Sequence, residues 1–181
     1  MGSPARLALL AVAVLALPPA TGMLSSDDVL RGSVAPAFSG RYRLVLTVSR
    51  GCPASMQVGP LTVAMDVTEA AVTPGSEVSG QSASPSEIPA NGRFVLLRQS
   101  DRLHGAFGSS SLELGLRTEE GYLLWMQIMN DGTAVTSSGG RVRASGTAFG
   151  EVDLALASDP SAESIGNCKH ALDHQWSLEP M

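Results

Sequence analysis

The chain has 181 residues, 16% of them charged, a net charge of −5 at pH 7 and only 4% aromatic residues. That length supports one domain with a sizeable core. An acidic balance without basic clusters excludes the phosphate-neutralising surface that nucleic-acid binding requires.

The first stretch, 1–22, reads as an export signal. Arg6 supplies the positive start, Leu7 to Leu17 is an unbroken apolar run, and Pro18-Pro19 ends it. Small residues at Ala20-Thr21-Gly22 suit a signal peptidase, which places cleavage after Gly22. The run is shorter than the roughly 20 apolar residues a bilayer crossing needs. No membrane span is therefore expected after signal cleavage, and the mature chain is expected to be secreted or periplasmic. Lys169 is the single lysine, a compositional habit of GC-rich bacterial genomes. In an oxidising compartment the two cysteines, Cys52 and Cys168, read first as a disulfide.

A polar lead, 23–39, precedes a single domain expected over 40–181. Alternation then begins. Tyr42, Leu44, Leu46 and Val48 share one face of a first strand, and Leu61, Val63, Met65 and Val67 share one face of a second. Residues 70–92 are rich in Ser, Pro, Gly and Ala and read as a long loop, with room for a short strand near Val78. From Arg93 the chain reads as a meander. Two-residue turns are expected at Ser100-Asp101, Ser109-Ser110, Asp131-Gly132 and Gly139-Gly140, and a three-residue loop at 119–121 with Gly121 left-handed. The strands between fall near 93–99, 102–108, 111–118, 122–130, 133–138 and 141–157, the last interrupted at Gly150. A short final strand is expected over His174 to Leu178.

Turn length fixes which side chains share a face. With these turns Leu103 opposes Leu116, Leu114 opposes Met126, Ile128 opposes Val135, and Val135 opposes Ala144. One apolar face results: Leu103, Phe107, Leu112, Leu114, Leu116, then Tyr122, Leu124, Met126, Ile128, and finally Val135, Val142 and Ala144. Whether Phe94 and Leu96 or Val95 and Leu97 face inward stays open. The other face carries His104, Glu113, Arg117, Gln127, Arg141 and Arg143, yet Leu123, Trp125 and Met129 also lie on it. Three apolar residues on one strand form a candidate interaction patch. A loop of the same chain or another molecule could cover it.

Short antiparallel strands with one apolar face predict an all-β fold, an antiparallel meander closing into a small barrel of about eight to ten strands. A two-sheet sandwich is the alternative. Cys52 follows the first strand and Cys168 precedes the last, so pairing those strands would bring the cysteines together at the seam. Gly40-Arg41-Tyr42 opening the first strand, followed by a meander, resembles in architecture the calycin group of lipocalin-like and avidin-like barrels. The lipocalin pattern has Trp where this chain has Tyr42, and no matching arginine stands near the last strand. The resemblance concerns architecture only and implies no binding residues.

The chemistry is sparse. Cys168, His170 and His174 beside Asp173 have metal-ligand chemistry, but Cys168 is expected in the disulfide and the spacing is weak, so no metal and no cofactor is expected. There is no Gly-x-Ser-x-Gly elbow. The acids fall on turns (Glu119, Glu120, Asp131) or on the outer face (Glu113, Glu151, Asp153), which leaves the inner face almost free of ionisable groups. The inward series Val142, Ala144, Gly146, Ala148 and Gly150 is small. It either leaves a ligand cavity or admits Trp176, Tyr42 or Phe107 as filling. Such a cavity would be lined by Tyr42, Leu44 and Leu46 from the first strand, Phe107, Leu114 and Met126 from the meander, and Ala144, Gly146 and Trp176 from the closing strands.

The expectation is an exported, non-catalytic barrel protein that binds a small apolar ligand inside or a protein partner outside. The alternatives are a purely structural or surface-interaction module with a filled barrel, and a hydrolase built from loops around His170, Asp173 and a serine.

Overall fold

The computed structural model describes residues 37–83, 92–108, 114–158 and 164–181. Nine strands follow in chain order: β1 (Ser39–Thr47), β2 (Leu61–Glu69), β3 (Glu77–Ser82), β4 (Arg93–Gln99), β5 (Arg102–Phe107), β6 (Leu114–Arg117), β7 (Tyr122–Ser138), β8 (Arg141–Leu156) and β9 (Gly166–Pro180). A short 3-10 turn, Ala54–Met56, lies between β1 and β2. Every pairing is antiparallel. The order β5-β4-β3-β2-β1-β9-β8-β7, with β5 also paired to β7, closes eight strands into a barrel-like ring. The strands belong to one compact unit, Val34–Met181. Among the described residues no helix is long and apolar enough to cross a membrane.

The seam pairs first strand with last: Leu44 faces Leu178 and Leu46 faces Trp176. Cys52 and Cys168 are disulfide-bonded with Cα atoms 5.3 Å apart, closing a span of 116 residues. The last strand is far longer than His174 to Leu178. It begins at Gly166, and Cys168 lies within it, opposite Val152. Two register shifts against β8, around Gly150, break its alternation, so periodicity could not reveal its first half.

Two of the expected reversals are replaced by other geometry. β5 and β6 do not pair as a hairpin. Phe107 faces Ile128 and Leu114 faces Met126, so the two lie in line along the same edge of β7. Leu103 accordingly faces Thr133 rather than Leu116. A Ser-Ser pair offers neither of the positive-φ positions that a two-residue hairpin favours; Ser109, Ser110 and Leu112 lie outside the described residues. Nor does the chain reverse at Asp131-Gly132. β7 runs straight through it for 17 residues with a bulge between Asn130 and Ala134, so Ile128 faces Gly150 and not Val135. Gly132 takes φ +73°, which serves a bulge as well as a turn. Asn130 fixes the bulge from inside: its Nδ2 donates to the Leu103 carbonyl at 2.7 Å and its Oδ1 accepts from Thr133 Oγ1.

The remaining turns fall where expected. Gln99 faces Arg102, Ser138 faces Arg141, and Thr118 N–H donates to the Tyr122 carbonyl across the three-residue loop. Phe94 and Leu96 are the inward pair of β4, with Val95 and Leu97 outward. β3 is the short strand near Val78. It is a full member of the ring, paired on both edges within the stretch that otherwise reads as loop.

Candidate functional site

The interior is the first place a ligand could sit. Tyr42, Leu44, Leu46, Phe107, Leu114, Met126, Ala144 and Trp176 all belong to one buried core. Their shared inward face follows from the period-2 alternation of each strand. Aromatic rings occupy part of this interior. Phe94 meets Phe107 and Phe107 meets Trp176, each pair with ring centroids 4.9 Å apart. Gly80 lets this happen: a Cβ there would stand 2.3 Å from the Phe94 ring that covers it. Gly146 has its inward side filled by Thr133, whose Oγ1 would be 2.5 Å from an added Cβ. These side chains fill each other's space, as close-packed interiors do.

The core is not free of charge, contrary to the sequence reading. Glu69 and Arg98 extend the inward alternations of β2 and β4 by one step, from Val67 and Leu96. Arg98 is 4% exposed, and its guanidinium grips Glu69 with both Nε and Nη2, the latter at 2.8 Å. Glu69 also accepts from Phe38 N–H at 3.0 Å and Ser76 Oγ at 3.2 Å. Burial alone would raise the Glu69 pKa, but these donors together hold it below the usual carboxylate value. Phe38 lies fully buried under Arg98, ring centroid to guanidinium 5.5 Å, and against Tyr42. This polar clamp ties the segment entering β1 to the ends of β2 and β4. The sequence offered half of its signal, Glu69 in the inward phase of β2; the inward phase of Arg98 emerges only once the structure turns Phe94 and Leu96 inward.

The opposite end holds the disulfide, the buried Met56 of the 3-10 turn, and a serine, an aspartate and a histidine together. Ser49 Oγ donates to Asp173 and accepts from Gly51 N–H at 3.0 Å. His174 Nδ1 accepts the backbone N–H of Ser49 at 3.1 Å. A nucleophilic serine requires its hydroxyl on the acceptor nitrogen of a histidine base. Here that nitrogen is taken by a backbone donor, and the hydroxyl is bound to the carboxylate directly. The trio therefore fastens the chain after β1 to β9. His174 is fully buried, and among the described residues its Nε2 makes no hydrogen bond of good geometry. Burial lowers its pKa, outweighing the Gly150 backbone and the Asp173 carboxylate, which favour the charged ring.

The Cys168, His170 and His174 run does not converge. Cys168 is bonded to Cys52, His174 points into the core, and His170 is exposed at a left-handed φ of +63°. Among the described residues no three His, Cys, Asp or Glu side chains are placed to hold a metal. Glu120, on the turn after β6, receives Thr62 N–H at 2.9 Å and the Thr62 hydroxyl. Burial pushes its pKa up, but those bonds bring it below the usual value.

The outer face is where apolar surface remains uncovered. Leu123 is only 4% exposed and its cross-strand neighbour Ala155 is equally buried. Trp125 is half-buried, while Met129 is 52% exposed. The sequence patch ran along one strand; the exposed apolar surface instead runs across strands. Val95 faces Ala106, Ala106 faces Met129, and Met129 faces Phe149. Phe149 lies opposite the β9 bulge that carries Leu172. Exposures along this belt are 37% for Val95, 52% for Met129, 40% for Phe149 and 78% for Leu172. It spans five neighbouring strands, about 19 Å at the usual inter-strand spacing. Periodicity along one chain segment cannot show a feature assembled from five. A separate groove of about 290 Å³ lies over Gly146, between Val45, Ser145, Gln175 and Ser177. No charged side chain lines it, and its size is at the lower limit for small-molecule sites.

Compared with protein-family models, with curated proteins and with solved structures, the chain finds no match.

Proposed function

We propose that this protein is an exported, non-catalytic barrel that works as an interaction module, binding a protein partner through the outer face of β4, β5, β7, β8 and β9. The observation that carries the reading is the apolar belt from Val95 to Leu172, left exposed on a domain whose interior holds a cluster of its own aromatic rings. An interior ligand would have to displace the Phe94–Phe107–Trp176 cluster, which costs close packing that nothing else replaces. A disulfide closing the seam suits a secreted or periplasmic location. Exposed apolar belts of this kind mark association sites more often than idle surface.

The test is capture from the exported fraction of the protein's own host. The mature chain and its Met129→Glu and Phe149→Ser variants serve as baits, with native mass spectrometry of the purified protein alongside. The reading expects a specific protein retained by wild type, lost by both variants, and a bare-chain mass. A retained small molecule, with capture indifferent to the belt variants, would return the function to the interior.

A further inference from the structure

We propose that residues 49–57 form a proton-operated cover over one end of the barrel: a proton on His174 releases the cover, and the Cys52–Cys168 bond keeps it tethered. The device is separate from the apolar belt and does not depend on it.

The cover is a small unit built on Ser49. The Ser49 carbonyl accepts Cys52 N–H at 3.1 Å and Gln57 Nε2 at 2.9 Å, and the Ser49 hydroxyl accepts Gly51 N–H at 3.0 Å. Met56, whose N–H donates to the Pro53 carbonyl at 2.9 Å, is fully buried in the core. It occupies the place a side chain at Gly166 would take, with Cγ 2.6 Å from an added Cβ. Between these anchors Arg50, Gly51, Pro53, Ala54 and Ser55 are exposed. Among the described residues every hydrogen bond leaving the cover ends on β9: Ser49 N–H on His174 Nδ1 at 3.1 Å, and Ser49 Oγ on Asp173. The disulfide ends on β9 as well. Cutting the two polar bonds at Ser49 therefore leaves one covalent pivot and the packing of Met56. The β1–β9 seam stops at Thr47 opposite Gln175, just short of Ser49, so it keeps its bonds when the cover moves.

His174 is the residue that can cut them. Its Nδ1 accepts a backbone N–H, so the ring of the closed cover is neutral with its proton on Nε2. A proton on Nδ1 sets two donors against each other, and a backbone N–H cannot reverse its role. The imidazolium then competes with Ser49 for the Asp173 carboxylate beside it. Among the described residues that carboxylate, on its own strand, is the charged group that acts on the ring. β8 presents the Gly150 backbone and Ala148, and the cover presents the Ser49 N–H, with Arg50 turned to solvent. Lys169 and His170, exposed on β9, act on Glu151 instead. Once released into water the ring recovers its ordinary affinity for protons, so acid favours the open state. Burial keeps the closed ring's pKa below 6.5, so the cover stays shut at neutral pH and the pull toward opening grows from about pH 6.5 downward.

Brief peroxide labelling of the mature, disulfide-bonded chain tests this, with the exposed Met181 as rate standard. Samples are labelled at about pH 7.5, 5.5 and 4.5, on either side of the ordinary histidine value. Relative to Met181, Met56 should oxidise at least about tenfold faster at the lowest pH than at the highest, as expected of a local opening. Met65 and Met126, buried inside the ring, should stay protected throughout. His174→Asn sets a carbonyl oxygen where Nδ1 stood and takes up no proton, so its Met56 should stay protected at every pH. Where that variant does not fold, amide exchange in wild type decides: protection at Ser49 should vanish along the titration curve of the His174 ring, while the amides of the β1–β9 seam keep theirs. A Met56 that stays silent down to the lowest pH overturns the device. So does one that opens only together with Met65 and Met126, which is unfolding of the whole barrel. Opening that persists in His174→Asn, or loss of Ser49 protection on a different curve from His174, overturns it as well.

Discussion

Single residues show how much was legible and where legibility stopped. The alternation from Leu61 to Val67 marks inward positions and Glu69 continues it, whereas in β4 the sequence left Phe94 and Leu96 or Val95 and Leu97 open, and only the structure puts Arg98 in the inward phase. A charged residue in an inward phase reads as the end of a strand, because burying it alone is so costly. Only the partner makes the position tolerable, and the partner lies 29 residues away in sequence. His174 was likewise visible as a ligand candidate, while its use as a backbone acceptor for Ser49 was not. These two groups, with Glu120 adding to the carboxylate part, set the response to acid. The folded-state pKa of His174 lies below its ordinary 6.5, so the unfolded chain takes up a proton first as pH falls. Stability should therefore drop from about pH 6.5 down to the depressed folded value. Glu69 adds a second loss, beginning near its ordinary 4.5 and completed as pH falls through its own lowered value. Urea midpoints measured from pH 7.5 to 3 should show both losses in wild type. His174→Gln should lack the first and keep the second.

At the scale of elements, two reversals were misplaced and yet the inward face came out right. Leu103, Phe107, Leu114, Leu116, Leu124, Met126, Ile128, Val142 and Ala144 are all buried. The reason is parity. A two-residue hairpin at Asp131-Gly132 moves the inward set from even to odd positions, and a one-residue bulge does the same. Face assignment cannot separate them. What separates them is partner length: β8 extends over 16 residues and pairs with β7 on both sides of the bulge. Asn130 is the residue that commits the chain to the bulge. Asn130→Ala removes the donor to the buried Leu103 carbonyl and the acceptor for Thr133, and should cost about 1–3 kcal/mol in equilibrium unfolding, the usual penalty for stranded buried polar groups. A change below about 0.5 kcal/mol, the range of neutral surface substitutions, would mean that strand pairing alone holds the bulge.

For the whole molecule, the closed ring, the seam and the disulfide were readable because each rests on alternation, turn chemistry or cysteine count. The belt was not, because it is written across strands that lie far apart in the chain. The account's central claim is that this barrel meets other molecules on its outside and keeps its inside to itself. Methionine oxidation reports on both surfaces in one protein, since accessible thioethers oxidise and buried ones are shielded. Met129 lies on the belt, Met65 and Met126 are buried in the core, and Met181 is exposed elsewhere. The measurement compares brief peroxide labelling of purified, dilute protein with labelling in its native exported fraction. The account predicts that Met129 alone becomes protected in the native fraction, with Met181 unchanged and Met65 and Met126 silent in both. Equal labelling of Met129 in the two samples, with Met65 or Met126 labelled only in the purified protein, would contradict it and place the bound molecule inside the barrel.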